Sequence, residues 1–261
     1  MNISVPLGIL LASLILFYTG SSDIKNAQVF LSPHAAAIVI GGTISASLIC
    51  FPIQHFFNLF KVFFRTITGQ LRNEGIRTIN EIVRITEVVN DGKSIIPELS
   101  AIKNRFLLES LTLLNEGGLS EEELDEVLEK RVEYQNERYK RENLTFKIIG
   151  KFPPAFGLVG TTMGMISLLQ GLGGKDAFER LGPSMSIALV ATFYGLVLAN
   201  IFLIPIGENL AQASNDDLML RRIVVDGVRL IREKKHPLLV REYLKSYLSH
   251  KERNEMTQGA A

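Results

Sequence analysis

Two threonines, Thr161 and Thr192, are the residues of this 261-residue chain whose type and setting are best suited to chemistry. Each lies in a long apolar run that contains no Asp, Glu, Lys, Arg or His. A hydroxyl in such a run can offer its oxygen to a passing cation. It can equally donate to a carbonyl of its own helix and serve only helix packing. Both interpretations stay open from the residues alone.

The elements that must position these threonines are membrane helices. Four uncharged apolar runs are long enough to cross a bilayer; they are Ile3–Gly20, Ala35–Ile53, Phe152–Leu172 and Pro183–Gly207. The first lacks the positive start and the cleavage site of a signal peptide, so we expect it to be retained. The sequence thus predicts an all-α membrane protein with four transmembrane helices, a helical domain inserted between helices 2 and 3, and a helical C-terminal tail.

The basic residues predict the orientation of these spans. Of the 28 Lys and Arg, most lie between the second and third runs or after the fourth, and few lie in the other two connections. By the positive-inside rule the inserted domain, the tail and both termini are cytoplasmic. We place the domain boundaries at 1–55 for helices 1 and 2, 56–151 for the cytoplasmic domain, 152–207 for helices 3 and 4, and 208–261 for the tail.

The inserted domain is predicted to contain four helices. The first three are Phe56–Asn73, Arg77–Asn90 and Leu99–Asn115. Ser120 begins the fourth, because a serine followed three residues later by Glu123 is a capping box. Glycines at 92, 117 and 118 end the two helices before it.

The third and fourth runs also contain small residues at steps of three or four, a pattern that allows close helix contact. These residues are Gly157, Gly160, Gly164, Ala188, Gly195 and Ala199. Pro154 and Pro205 lie at the cytoplasmic ends of the same two runs, where a proline frees a backbone carbonyl and permits a hinge.

Several classes of protein are disfavoured by what the sequence lacks. It has no phosphate-binding glycine loop, no nucleophile elbow and no paired carboxylates, so we do not expect an enzyme or a bound cofactor. Basic patches with interleaved aromatic residues are missing, so no nucleic-acid partner is expected. The one cysteine, Cys50, lies in an apolar run, which excludes a disulfide framework and predicts no metal cluster.

The stretches PPAFGLVGTTMGMISLL and LGPSMSIALVATFYGLVLANIFLIPIGENL closely resemble the paired motifs of the MotA/PomA flagellar stator subunits, within the wider MotA/TolQ/ExbB ion-channel group. The segments IVIGGTISA, DGVRLI and HPLLVREYLKSYL are similar to that family too. The resemblance therefore covers spans two to four and the tail, in the order that the family shows.

The resemblance implies a subunit of the bacterial inner membrane that forms a ring, a pentamer in known stators. The ring surrounds two copies of a single-span MotB/PomB-like partner, which is anchored to peptidoglycan and supplies the membrane aspartate. Ion flow would turn the ring, and the cytoplasmic domain would push on a FliG-like rotor switch protein. Pro154 and Pro205 match the two prolines that couple ion binding to movement in the family.

The resemblance also bears on the transported cation, Na⁺ or H⁺. Thr43, Thr161 and Thr192 match threonines of the sodium-driven branch, whereas proton-driven members often carry alanine where Thr161 stands. A hydroxyl can replace one water of a dehydrating sodium ion, and a proton needs no such ligand. We therefore expect sodium.

One stretch departs from the family pattern. The family places a rotor-facing arginine where this chain has Val89, within EVVNDGKSIIPE, and Glu98 is displaced by one residue from the family's glutamate. The candidates for rotor contact are Glu98, Arg84, Lys93 and Arg105, and the sequence does not choose among them.

Two alternatives stay open. One is a Tol/Ton-type energiser that powers a periplasmic partner, although such chains typically have three spans. The other is a membrane scaffold that conducts no ions and only recruits partners through its cytoplasmic helices.

Overall fold

The computed structural model describes residues 7–8, 10–15, 18, 30–53, 74–171 and 177–258. All regular structure in these residues is helical, with no strand, which confirms the predicted all-α class. In chain order the helices are α1 (Pro33–Cys50), α2 (Glu74–Asn90), α3 (Ile96–Leu99), α4 (Arg105–Glu116), α5 (Glu121–Ile149), α6 (Phe152–Gly171), α7 (Ala177–Val197), α8 (Ile204–Arg232), α9 (Pro237–Lys245) and α10 (His250–Gln258). Two π-helical segments interrupt the regular winding, at Ala37–Gly41 inside α1 and at Leu198–Leu203 between α7 and α8.

Three helical stretches are long and apolar enough to cross a membrane: Pro33–Cys50, Glu121–Gly171 and Leu181–Arg232. They correspond to the second, third and fourth predicted spans, although the second and third predicted spans extend past the observed helix ends. Half of the first predicted span, Ile3–Gly20, lies outside the described residues, so the count of four spans stays a prediction. The predicted helix Phe56–Asn73 also lies outside them.

The chain divides into two compact units. The first, which we call the apolar unit, comprises residues 1–70 and 141–211; the second, the charged unit, comprises residues 71–140 and 212–261. In the apolar unit, α1, α6 and α7 pack on one another. Ala35 and Val39 of α1 are fully buried with Val190 and Ala191 of α7.

The charged unit has the larger core. Branched aliphatic residues of α2, α4, α5, α8 and α9 meet there, and Met256 of α10 joins them. The largest fully buried side chains are Ile79, Ile82, Ile85, Leu107, Leu111, Leu128, Ile223, Ile231 and Leu244. Removal of such surface from water is the main force that holds a unit of this kind together.

Polar side chains fasten the edge of this core. Asp125 of α5 accepts hydrogen bonds from Arg229 and Arg232 of α8, both at 3.1 Å. Tyr139 donates to Asp217 at 2.8 Å, and Arg221 donates to the same carboxylate oxygen at 2.7 Å. The charged unit therefore places ionised groups on several of its helix contacts.

The local sequence fixes where these helices begin and end. Ser120 and Glu123 form the predicted capping box: the Ser120 N–H donates to Glu123 at 2.8 Å, and the Glu123 N–H donates to the Ser120 hydroxyl at 3.2 Å. These bonds lower the pKa of Glu123. Gly117 ends α4 in the left-handed region with φ of 67°, a conformation that favours glycine.

The prediction of one helix over Leu99–Asn115 is wrong at its start. The helix begins at Arg105, because Asn104 is its N-cap and accepts from the Leu107 N–H at 3.1 Å. The Asn104 amide also donates to Thr78 at 3.1 Å, which holds the cap against α2. Leu99 instead ends the separate short helix α3.

Candidate functional site

Helices α6 and α7 approach each other so closely that the glycines at their contact have no room for a Cβ atom. A Cβ atom on Gly160 would overlap the Cβ of Ala191. One on Gly164 would lie 2.7 Å from the Cβ of Ala188 and 3.0 Å from the carbonyl oxygen of Ser184. The small residues that the sequence analysis singled out are all buried at this contact or on its continuation, namely Gly157, Gly160, Gly164, Ala188, Gly195 and Ala199.

The contact is closest where α6 begins. A Cβ on Gly195 would overlap the backbone carbonyl of Pro153 and lie 3.2 Å from the Cα of Pro154. Pro154 is in the first turn of α6, where its missing N–H costs no helical hydrogen bond. One of the two predicted hinge prolines thus lies directly against a glycine of the other helix.

The second predicted hinge, Pro205, follows the π segment Leu198–Leu203. A proline inside a helix removes one hydrogen bond and crowds the carbonyl four residues earlier. A π turn widens the helix at such a place and absorbs the mismatch. The helix therefore continues from the π segment into α8, which contains Pro205, and the predicted end of the fourth run at Gly207 is not a helix end.

Thr161 and Thr192 meet across the α6–α7 contact, and their hydroxyls are hydrogen-bonded to each other. Both hydroxyls also lie near the same two backbone carbonyls. The Thr161 Oγ1 is 3.1 Å from the Gly157 oxygen and 3.2 Å from the Ala188 oxygen; the Thr192 Oγ1 is 3.4 Å and 3.5 Å from them. We call these four oxygens the oxygen cluster.

The oxygen cluster has a defined chemical capacity. Its two hydroxyls and two carbonyls are neutral, and such oxygens can replace the hydration waters of a cation. The residues that the structure describes bring no carboxylate to it. Because the two helices are so close, each threonine hydroxyl lies within hydrogen-bond distance of a carbonyl of its own helix and of a carbonyl of the neighbouring helix.

Thr43, the third predicted ion-pathway residue, has a different setting. It is buried, with 6% of its surface exposed, and donates to the Val39 carbonyl of its own helix at 2.6 Å. Ser47 repeats this one turn later with the Thr43 carbonyl, also at 2.6 Å. The structure does not bring Thr43 into the oxygen cluster.

Tyr194 is a residue that the sequence analysis missed. Its hydroxyl donates to the Phe30 carbonyl and accepts from the Ser32 N–H at 3.3 Å, so it ties α7 to the chain just before α1. A tyrosine in an uncharged span was the available signal, since a buried phenol needs a hydrogen-bond partner.

The candidates for rotor contact lie in the charged unit and are engaged with carboxylates or guanidinium groups of the same unit. Arg84 and Glu98 pair with each other at 3.3 Å. Lys93 bonds Asp91 at 2.8 Å, which raises the pKa of Lys93, and Arg105 bonds Glu109 at 3.0 Å. Val89 is partly buried against the core.

A second residue missed from the sequence is Glu81, which is 9% exposed in a groove on α2. Its Oε1 accepts from the Lys103 N–H at 3.3 Å, and its Oε2 is buried with no hydrogen-bond partner in the part of the chain that the structure describes. Arg77 and Arg84 line the same groove.

Comparisons with known proteins show similarity to MotA-type proteins in both sequence and structure. The MotA/TolQ/ExbB proton channel family matches residues 98–223. The chain is 28% identical over 224 residues to the chemotaxis protein PomA of Vibrio alginolyticus, which covers 86% of this chain and 87% of that protein.

Solved structures show the same fold. The C. jejuni MotAB structure superposes with a TM-score of 0.86 at 21% identity and covers 96% of this chain and 97% of that one. The flagellar MotAB stator complex of Bacillus subtilis gives a TM-score of 0.83 at 24% identity, with 95% and 97% covered.

Proposed function

We propose that this chain, whose residues 98–223 match the MotA/TolQ/ExbB proton channel family, is an ion-conducting stator subunit of a bacterial flagellar motor. It would couple inward cation flow to rotation of a ring and to torque on a rotor. The observation that carries the proposal is the oxygen cluster, which holds neutral cation ligands between two membrane helices. The similarity to PomA along most of the chain supports the same function.

The oxygen cluster needs a negative charge from another chain. A cation that leaves water for a site of neutral oxygens loses hydration that the site only partly replaces, and a nearby anion offsets this cost. We propose that a single-span MotB/PomB-like partner, anchored to peptidoglycan, supplies the aspartate. Relatives whose structures match this fold are solved as MotAB complexes.

The proposed cation is sodium. Two hydroxyls and two carbonyls of the cluster can take the place of waters around Na⁺, whereas a proton on an aspartate needs no such ligands. Swimming speed measured against external sodium at constant pH tests this. A speed that rises and saturates with sodium is expected, and a speed that does not respond to sodium would rule out sodium as the coupling ion.

The proposed movement involves the two prolines. Pro154 lies against Gly195, so a shift of α6 at its first turn moves α7 directly. Pro205 follows a π segment, where the winding of the helix can change by one hydrogen bond. A change of charge at the oxygen cluster would thereby reach α5 and α8, which extend from these helices.

We further propose a homopentameric ring in the bacterial inner membrane, with the charged unit and both termini in the cytoplasm. The basic residues of the charged unit and the uncharged character of the runs Phe152–Leu172 and Pro183–Gly207 favour this orientation. Subunit counting in the purified complex tests the stoichiometry.

Arg84, Lys93, Glu98 and Arg105 remain the proposed contacts to a FliG-like switch protein. Because Arg84 pairs with Glu98, a single reversal at Glu98 breaks that pair as well as any rotor contact. The double variant Arg84→Glu/Glu98→Arg restores the internal pair with the charges exchanged. If these residues contact the rotor, motility stays lost in the double variant. Restored motility would mean that the pair only supports the fold. Unchanged motility in the Glu98→Lys variant would exclude Glu98 as a rotor contact.

Valine substitutions test the oxygen cluster, because valine keeps the shape of threonine and removes the hydroxyl. We expect Thr161→Val and Thr192→Val to abolish motility or change its ion dependence while the protein still reaches the membrane. Thr162→Val is the matched control: Thr162 is exposed on the same helix and donates to its own Val159 carbonyl at 2.7 Å. A scaffold without ion conduction would tolerate all three changes.

A further inference from the structure

Helix α1 lies over the place where α6 and α7 come closest. A Cβ on Gly160 would overlap the Cβ of Ala191 on α7 and lie 3.6 Å from a methyl carbon of Ile38 on α1. Ala191 is fully buried in an apolar cluster that α7 forms with α1. Thr161 and Thr192 of the oxygen cluster follow Gly160 and Ala191 by one residue each. A displacement of α1 should therefore loosen the contact that brings the two threonine hydroxyls together.

One row of residues on α7 faces α1. Val190 and Ala191 are buried in the apolar cluster, and Tyr194 and Leu198 pack against it. Apolar side chains give two helices little hold on each other in lipid, because lipid tails are as apolar as the helices and supply no hydrophobic driving force. Tyr194 is the member of this row that carries a hydroxyl, and its hydrogen bonds are the directional part of the contact.

The Tyr194 hydroxyl bonds the chain on the far side of this contact. It donates to the Phe30 carbonyl and accepts from the Ser32 N–H at 3.3 Å, and both partners precede the first turn of α1. The ring of Phe30 also lies 5.4 Å from the ring of Phe193, the neighbour of Tyr194. A phenol in an uncharged run needs polar partners, and lipid offers none. One side chain of α7 thus fastens the start of α1.

We propose that Tyr194 is a positioning residue for the cation site: it holds α1 over the α6–α7 contact and so keeps the hydroxyls of Thr161 and Thr192 together. Tyr194 follows Thr192 by two residues, about 200° around α7. Its hydroxyl bonds the chain before α1 rather than the oxygen cluster, so it acts on the cluster through α1. The inference rests on the proposed function, in which the oxygen cluster receives the cation.

A bond that served only the fold would have a different effect. Its loss would lower the number of complexes in the membrane and leave each assembled complex unchanged. The loss of a positioning bond instead weakens cation binding in every assembled complex. Measurements on single assembled units therefore separate the two roles, because they do not depend on how many units are present.

The Tyr194→Phe variant removes the hydroxyl and keeps the ring. The speed of motors driven by a single stator unit is measured against external sodium at constant pH. We expect the half-saturating sodium concentration to rise about threefold, which corresponds to the low end of the net contribution of one hydrogen bond. The speed at saturating sodium should stay that of the wild type. A lower saturating speed with an unchanged half-saturating concentration would overturn the inference.

Ser47→Ala is the matched control. Ser47 is buried in α1, and its hydroxyl donates to the Thr43 carbonyl of the same helix at 2.6 Å. The variant therefore removes a buried hydroxyl of the apolar unit without removing a bond between helices. It should leave the half-saturating sodium concentration unchanged. An equal rise in both variants would show that the bond from α7 to α1 has no special part in cation binding.

Hydrogen–deuterium exchange tests the same link without the cation. The full chain in lipid nanodiscs is compared with its Tyr194→Phe variant in peptides that cover residues 34–42 of α1 and residues 157–164 of α6. We expect faster exchange in both peptides, by about tenfold in α1 for the loss of two hydrogen bonds. Faster exchange in α1 alone would show that the hold on α1 does not reach the oxygen cluster. Unchanged exchange in both would show that Tyr194 does not hold α1; either result overturns the inference.

The two measurements separate the possible failures. Wild-type motors whose speed does not depend on sodium, or a chain that drives no motor, would refute the proposed function, and the exchange measurement would then decide the inference by itself. Sodium-dependent motors with the same half-saturating concentration in the wild type and in Tyr194→Phe would overturn the inference and leave the proposed function standing.

Discussion

Two helix pairs in this protein each contain a glycine at a close contact, yet the contacts differ in kind. In the apolar unit, Gly195 of α7 lies against the backbone of Pro153 and Pro154. In the charged unit, Gly227 of α8 lies against the side chain of Ile82, where a Cβ would be 2.6 Å from the Cδ1 atom. A backbone carbonyl cannot move without moving its helix, whereas the end of an isoleucine side chain can rotate.

The difference shows that the two units are packed in different ways. The apolar unit brings main chains together, so that two carbonyls and two hydroxyls meet in the oxygen cluster. The charged unit fills its centre with aliphatic side chains and fastens the edge with Asp125, Asp217 and Asp226. Substitutions should therefore act through backbone displacement in the first unit and through cavities and lost polar bonds in the second.

The largest effect on stability is expected for Ile82→Ala in the charged unit. Ile82 is fully buried, and truncation to alanine should cost about 4 kcal/mol through lost burial and the cavity left behind. Hydrogen–deuterium exchange of the α2 and α8 amides in the detergent-solubilised chain measures it. Exchange that accelerates in the α6 amides instead would contradict the division into two kinds of contact.

Gly195→Ala should have the next largest effect. Its methyl group would overlap the Pro153 carbonyl, so we expect α6 and α7 to separate at a cost of about 3 kcal/mol. Thermal unfolding of the solubilised protein and the amount present in membranes measure this.

Gly41→Ala is the matched control for this change. Gly41 is also in a membrane helix of the apolar unit, but a Cβ there meets nothing within 4 Å. Equal losses in both variants would mean that helix glycines matter here for a reason other than close packing.

Much of this organisation was predictable from the sequence. Helical periodicity located the end of α2 at Asn90 and its start to within three residues, and Ser120 with Glu123 located the start of α5. Small residues at steps of three or four indicated the α6–α7 contact. These features depend on neighbours along the chain, which a sequence displays directly.

Other features depend on partners distant in sequence. The cap of α4 is held against α2 by the bond from Asn104 to Thr78, 26 residues away. The meeting of Thr161 with Thr192 depends on which sides of α6 and α7 face each other. The sequence does not show this, because it does not say which residues of one helix contact the other. Thr43 carries the same hydroxyl, but its hydrogen bond to Val39 is internal to α1.

Tyr247→Phe should have a smaller effect, and one that depends on pH. The Tyr247 hydroxyl donates to Asp226 at 2.6 Å, and this bond with partial burial raises the pKa of Tyr247 from 10.0 to about 12. The folded chain holds this proton more tightly than the unfolded chain does. The contribution is therefore complete below pH 10 and is lost as the pH rises through about 12.

We expect the phenylalanine variant to lose about 1.5 kcal/mol at neutral pH. The wild-type chain should lose stability more steeply than the variant between pH 10 and 12. Thermal midpoints of both proteins across this range measure the difference, and parallel pH profiles would show that the bond from Tyr247 to Asp226 does not stabilise the folded chain.

Gly227→Ala should have the smallest effect and gives the sharpest comparison with Gly195→Ala. Alanine in a helix interior is favoured over glycine by about 1 kcal/mol, which offsets part of the overpacking against Ile82 and leaves a net loss of about 1 kcal/mol. The Ile82→Val variant deletes the Cδ1 atom that lies 2.6 Å from the new methyl group, so Gly227→Ala should cost less in that background. The double variant measured against both single variants by amide exchange gives this coupling.

No side-chain truncation can relieve Gly195→Ala in the same way, because the obstructing atom there is a carbonyl oxygen of the main chain. If the losses of stability from Gly227→Ala and Ile82→Val are additive, the contact in the charged unit is as rigid as the contact in the apolar unit, and the distinction between them fails.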